Sequence, residues 1–114
     1  MSFNEELAGR VRHALKNRRK LQEKKMFGGL AFLLRGNMCC GVVGDELMVR
    51  VGPEAYEKAL AARHVRPMDF TGRPLMGFVY VTPPGTAGDR ALKTWVTKGV
   101  EFALSLPAKE VVRS

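Results

Sequence analysis

Residues 26–51 read Met26-Phe27-Gly28-Gly29-Leu30-Ala31-Phe32-Leu33-Leu34-Arg35-Gly36-Asn37-Met38-Cys39-Cys40-Gly41-Val42-Val43-Gly44-Asp45-Glu46-Leu47-Met48-Val49-Arg50-Val51. Three apolar runs, Met26 to Leu34, Met38 to Val43 and Glu46 to Val51, are cut by Arg35-Gly36-Asn37 and by Gly44-Asp45, both suited to hairpin turns. This predicts three antiparallel strands in a meander. In the third run Leu47, Val49 and Val51 alternate with Glu46, Met48 and Arg50, the period-two pattern of a strand with one face in a core.

Working outward, the period changes to that of a helix on the N-terminal side. Asn4 suits an N-cap, Glu5 and Glu6 favour the positive end of a helix dipole, and Leu7, Val11, Ala14, Leu15 and Arg18 recur at helical spacing. A helix from about residue 4 to about residue 20 is expected. On the other side, Gly52-Pro53-Glu54 opens a second helix that should end near Arg63. Val65 to Thr71 reads as a short strand interrupted by Pro67, with Gly72 as a turn residue, and Pro74 to Thr82 reads as a strand. Pro83-Pro84-Gly85 breaks the chain, Thr86 to Asp89 resembles a capping box, and Leu92, Trp95, Val96, Gly99, Ala103 and Leu106 give a third helix ending at Pro107. The order α-β-β-β-α-(β)-β-α predicts an α+β fold: an antiparallel β-sheet packed with helices as a two-layer α/β sandwich. One domain should span residues 1–110, with 111–114 as a tail.

The last strand adds a constraint. Leu75, Gly77, Val79 and Val81 alternate with Met76, Phe78 and Tyr80, so both of its faces carry apolar side chains. Either a helix covers the second face, or Met48, Met76, Phe78 and Tyr80 form a protein interface, in a homodimer or with another partner.

A length of 114 residues allows one domain and excludes two. The apolar stretch Met26 to Leu34 is about half of the roughly 20 residues of a membrane helix. With no basic and apolar leader at the N-terminus and two cysteines rather than a disulfide framework, a cytoplasmic protein with no membrane contact is expected. The net charge of +8 is lopsided. Residues 10–25 hold Arg10, Arg12, Lys16, Arg18, Arg19, Lys20, Lys24 and Lys25 against the single acid Glu23, so affinity for a polyanion should reside there. On the expected helix, Arg12, Lys16, Arg19 and Lys20 lie opposite Leu7 and Val11.

The residues Lys25-Met26-Phe27-Gly28-Gly29-Leu30, Gly36-Asn37-Met38, Leu47 to Val51 and Pro74 to Val81 resemble the N-terminal domain of the TfoX/Sxy competence-regulator family. Leu92, Trp95, Val96, Leu106-Pro107 and Lys109 are similar to its third helix and tail. The motif is carried by Met26, Phe27, Gly28 and Gly29. The resemblance implies a small sheet-and-helix domain linked to transcriptional regulation of DNA uptake competence. Full-length members carry a C-terminal domain resembling helix-hairpin-helix DNA-binding modules, and this sequence stops before it.

Chemistry-bearing residues are sparse. Cys39 and Cys40, adjacent in a strand, should point to opposite faces and so fail to chelate a metal together, leaving one buried and the other a redox candidate if exposed. His13 reads as a solvated helix residue and His64 as a partner of a helix C-terminus. Gly28-Gly29 and Gly41-Val42-Val43-Gly44 lack dinucleotide or P-loop patterns and read as strand glycines that allow close approach, of the first helix or of a partner. No catalytic residue, metal site or cofactor is expected. The sequence thus predicts a non-enzymatic regulatory or adaptor domain acting through protein contacts. A second reading is a nucleic-acid-associated protein that binds phosphate non-specifically through Arg12, Lys16, Arg19, Lys20, Lys24 and Lys25. A distant third is a thiol-dependent or small-ligand enzyme.

Overall fold

The computed structural model describes residues 3–26, 28–70 and 73–108. The chain begins with helix α1 (Glu5–Ala14), followed by strands β1 (Leu21–Met26), β2 (Gly29–Leu34), β3 (Asn37–Val43) and β4 (Glu46–Arg50). A short helix α2 (Tyr56–Leu60) leads to β5 (Val65–Phe70) and β6 (Arg73–Val81). A 3₁₀ turn, Pro83–Thr86, precedes helix α3 (Asp89–Ser105). The six strands form one antiparallel sheet in the order β1-β2-β3-β4-β6-β5. This is the α+β arrangement that the hairpin turns imply.

Helix α1 is shorter than its sequence pattern. Asn4 caps it, its side chain accepting from the Leu7 amide at 3.0 Å. The helix stops after Ala14, where the Leu15 amide donates back to Val11 and Arg12, and the Arg18 amide then donates to Leu15. Lys20 takes a left-handed turn conformation, φ 57°, and Leu21–Met26 pairs along β2 from Leu21↔Leu34 to Met26↔Gly29. The backbone of residues 21–26 thereby satisfies its hydrogen bonds against β2 instead of continuing a helix with few apolar side chains. The meander therefore has four strands, and the basic segment is split among a helix, a turn and an edge strand.

The core lies between the sheet and its helices. Leu7 and Val11 of α1, Leu92, Val96 and Val100 of α3, and Tyr56 and Ala59 of α2 meet Phe32, Val42, Leu47, Val49, Val79 and Val81. Gly99 lets α3 rest on the sheet backbone, since a Cβ there would collide with the Cys39 carbonyl. The capping-box reading of Thr86 and Asp89 does not hold. Thr86 is buried and donates to the Pro83 carbonyl, while Asp89 turns to Arg10 at 3.1 Å. Gly88 is the N-cap of α3. The second helix is likewise only Tyr56–Leu60, because Pro53 to Ala55 form a turn before it.

Irregularities in the ladders decide where several side chains point. In β3, Phe32 pairs with Cys40 and Leu33 with Met38, so Cys39 is an extra residue. Just past β4, the Val51 and Gly52 amides both donate to the Gly77 carbonyl of β6, two residues against one, and Gly77 has φ 91°. Each is a bulge that breaks strict alternation. In β5 the register slips between Pro67 and Asp69, which leaves Met68 unpaired and fully buried.

Candidate functional site

The basic residues do not form a single face. Arg12 is on α1, where its guanidinium holds Glu23 of β1 through bonds of 2.7 and 3.1 Å. That hydrogen bond, with the nearby carboxylate charge, raises the Arg12 pKa further above its ordinary value. Lys16 and Arg19 lie in the turn after the helix, beside the left-handed Lys20. Lys24 and Lys25 are exposed on the edge strand and, as neighbours in a strand, point to opposite sides. The expected helix face of Arg12, Lys16, Arg19 and Lys20 is therefore not formed, because the helix ends before three of the four.

The fold instead assembles a different basic group. Lys16 and Arg18, with His13 from the last turn of α1, line a cleft of about 750 Å³ whose opposite wall carries Leu92 and Lys93 of α3. Arg10 sits in the same cleft, but its guanidinium is engaged by Asp89 and the Thr86 carbonyl. Among the described residues, Lys16, Arg18 and Lys93 make no ion pair. Lys93 was out of reach of sequence reasoning because it is brought in from a distant helix.

Opposite the helices, the sheet carries a second apolar cluster of Met48, Met68 and Tyr80, with Met38, Val43, Leu75 and Phe78 packed against it. Met48 is only 1% exposed although it is not part of the main core. Its methyl lies over Gly41, where a Cβ would come within 2.9 Å. The Arg66 guanidinium lies 4.5 Å from the Tyr80 ring centroid and bonds Glu46 at 2.9 Å. Burial beneath these groups pushes the Tyr80 phenol above its usual pKa. Of the four residues expected at an interface, Met48 and Tyr80 are thus buried within the chain. Phe78 is half-buried, and Met76 is 68% exposed. The left-handed Gly77 breaks the alternation of β6, so that Leu75 rather than Met76 packs with Phe78 against the Met48 cluster and Met76 is left exposed.

At one end of this open face, Arg50 lies over Phe78, with its guanidinium carbon 5.4 Å from the ring centroid, and over Phe102 of α3, at 5.2 Å. A groove of about 610 Å³ runs from Arg50 and Phe78 to Lys24 and Met26 of β1, across Leu33 and Met38.

The two cysteines are both fully buried in the main core, with Sγ atoms 3.7 Å apart. The expectation that they point to opposite faces fails because Cys39 occupies the β3 bulge. The hydrogen bond to Cys39 and burial push the Cys40 thiol well above its usual pKa. Neither is an exposed thiol in the folded state. His64 is a left-handed turn residue, φ 65°, whose carbonyl accepts from the Thr82 amide and hydroxyl; its backbone joins β5 to the end of β6. Among the described residues no group of three His, Cys, Asp or Glu side chains is placed to hold a metal, and no helix is long and apolar enough to cross a membrane.

Of the motif residues, Met26 ends β1 and Gly28 makes the hairpin turn with φ 73°. Gly29 brings β2 close to β3, since a Cβ there would collide with the Val42 carbonyl. The close approach is therefore between strands, not to the first helix. Phe27, and the tail expected at residues 111–114 with Lys109, lie outside the described residues, as do Thr71 and Gly72. A family model described as the TfoX N-terminal domain matches residues 13–103, from the end of α1 through most of α3. The chain belongs to this family. No curated protein matches the chain, and no solved structure matches it. In this TfoX N-terminal domain the match takes in all six strands, and with them both the open face and its groove.

Proposed function

We propose that this TfoX N-terminal domain is a non-enzymatic regulatory protein, linked to the control of DNA uptake competence, that acts through protein contacts made at the exposed Met76 of β6. The observation that carries this reading is the exposure of a large apolar side chain, Met76, on β6. Met76 stands where the alternation of β6 breaks at Gly77, and it is 68% exposed although its neighbours Leu75 and Phe78 pack against the second apolar cluster. An exposed, flexible thioether side chain suits the adaptable surfaces used in protein recognition. Family membership supports the regulatory role. The test is a Met76→Glu variant, made where the side chain is already exposed and folding should be retained. The reading expects the variant to lower expression of a competence-gene reporter in the host, with sedimentation at tens of micromolar deciding between a second copy and another partner. Unchanged reporter expression would count against it.

A second reading, phosphate binding to nucleic acid, is favoured by the cleft that gathers Lys16, Arg18 and Lys93. Three phosphate contacts give a log–log salt slope of about −3 with little dependence on sequence. Fluorescence anisotropy of a labelled duplex, for the wild type and for a Lys16→Glu, Arg18→Glu, Lys93→Glu variant, tests it. Equal binding by the two proteins would exclude the cleft.

A further inference from the structure

We propose that the groove between β1 and the Arg50 end of the open face binds a small organic carboxylate with an apolar body. The inference starts from Arg50. Its guanidinium carbon lies within 5.4 Å of the ring centroids of both Phe78 and Phe102, which restrains it, and its five N–H donors form a rigid fork that matches a carboxylate. The ion pairs among the described residues are Arg10–Asp89, Arg12–Glu23 and Arg66–Glu46, so Arg50 faces the groove without a carboxylate partner. Glu23 also borders the groove, but Arg12 holds both of its oxygens. The second cation, Lys24, comes from the edge strand on the far side.

The walls between the two cations are Met26, Leu33, Met38 and Phe78. They offer adaptable thioether and aromatic surface to an apolar body. A volume of about 610 Å³ is within the range of small-molecule sites. The chemistry of the walls also selects among anions. A phosphate dianion would lose more hydration in a groove lined by thioethers than a carboxylate monoanion, and one guanidinium satisfies one carboxylate in bidentate fashion. Arg50, with no net anionic neighbour, therefore complements a ligand with one carboxylate and an apolar ring system, and Lys24 adds attraction for that negative charge from the far rim of the groove. This site is independent of the reading that Met76 contacts a protein.

The probe is 2-naphthoate, followed by amide and methionine-methyl NMR shifts of the full chain, with 2-naphthyl phosphate and 2-naphthylmethanol as comparison ligands. The expected result is saturable shifts at Lys24, Met26, Met38 and Arg50, with the carboxylate binding at least about tenfold more tightly than the alcohol and more tightly than the phosphate. Arg50→Met should remove that preference. Lys24→Gln, on an exposed strand position that leaves the Arg50 stack intact, should weaken naphthoate severalfold while leaving the spectrum of the free protein otherwise unchanged. Shifts confined to other regions, equal affinity for the alcohol, preference for the phosphate, or naphthoate binding unaffected by both variants would each overturn the proposal.

Discussion

The two faces of one sheet are built by different rules. On the helix side, Phe32, Val42, Leu47, Val49, Val79 and Val81 alternate inward and meet α1, α2 and α3. On the open side no helix among the described residues supplies the second layer, and Met48, Met68 and Tyr80 are buried by neighbouring side chains, including Arg66 over the Tyr80 ring. The covered face therefore depends on close fit between layers. The open face depends on long, flexible side chains folded over a glycine and a bulge, and such a surface tolerates change more readily.

The largest expected effect sharpens this contrast. Phe32→Ala removes a fully buried ring beneath the helices and should cost about 4 kcal/mol in urea unfolding. Gly99→Ala should cost about 2 kcal/mol by lifting α3 off the Cys39 carbonyl. Met48→Ala on the open face should cost about 2 kcal/mol, at the low end for a buried methionine, because its neighbours can settle into the space over Gly41. A loss as large as that of Phe32→Ala would break the distinction between the faces. Arg66→Ala should cost less than about 1 kcal/mol, since its ion pair with Glu46 is partly exposed.

The smallest effect is confined to alkaline solution. The folded state holds the Tyr80 proton to a higher pH than the unfolded chain does, because burial disfavours the phenolate. Its contribution to stability is therefore fully present below the unfolded pKa of about 10 and is lost as pH rises through the raised folded value. Denaturant midpoints of Tyr80→Phe and wild type should run parallel below that pH and diverge above it, with the wild type falling faster.

The covered face was legible in the sequence because its signal is local. The turns at Arg35-Gly36-Asn37 and Gly44-Asp45, and the alternation of Leu47, Val49 and Val51, place β2, β3 and β4 without knowledge of their partners. Strand β1 was not legible: Leu21–Met26 is an edge strand with four exposed polar residues and no apolar alternation, so its bases merged with those of α1. The bulges were equally hidden, since nothing in Cys39-Cys40 or Leu75-Met76-Gly77 reveals which residue leaves the ladder. The candidate sites depend most on such features. Met76 is exposed where Gly77 breaks the alternation of β6, and Arg50 meets Phe102 and Lys16 shares a cleft with Lys93 only through packing of α3.

The central claim, that this regulatory domain acts through protein contacts at the exposed Met76, is tested most directly by a competence-gene reporter in the native host. The comparison is between Met76→Glu and the cleft variant Lys16→Glu, Arg18→Glu, Lys93→Glu, with both proteins verified as folded and equally abundant. The account predicts reduced reporter expression for Met76→Glu and wild-type expression for the cleft variant. The reverse pattern would contradict it.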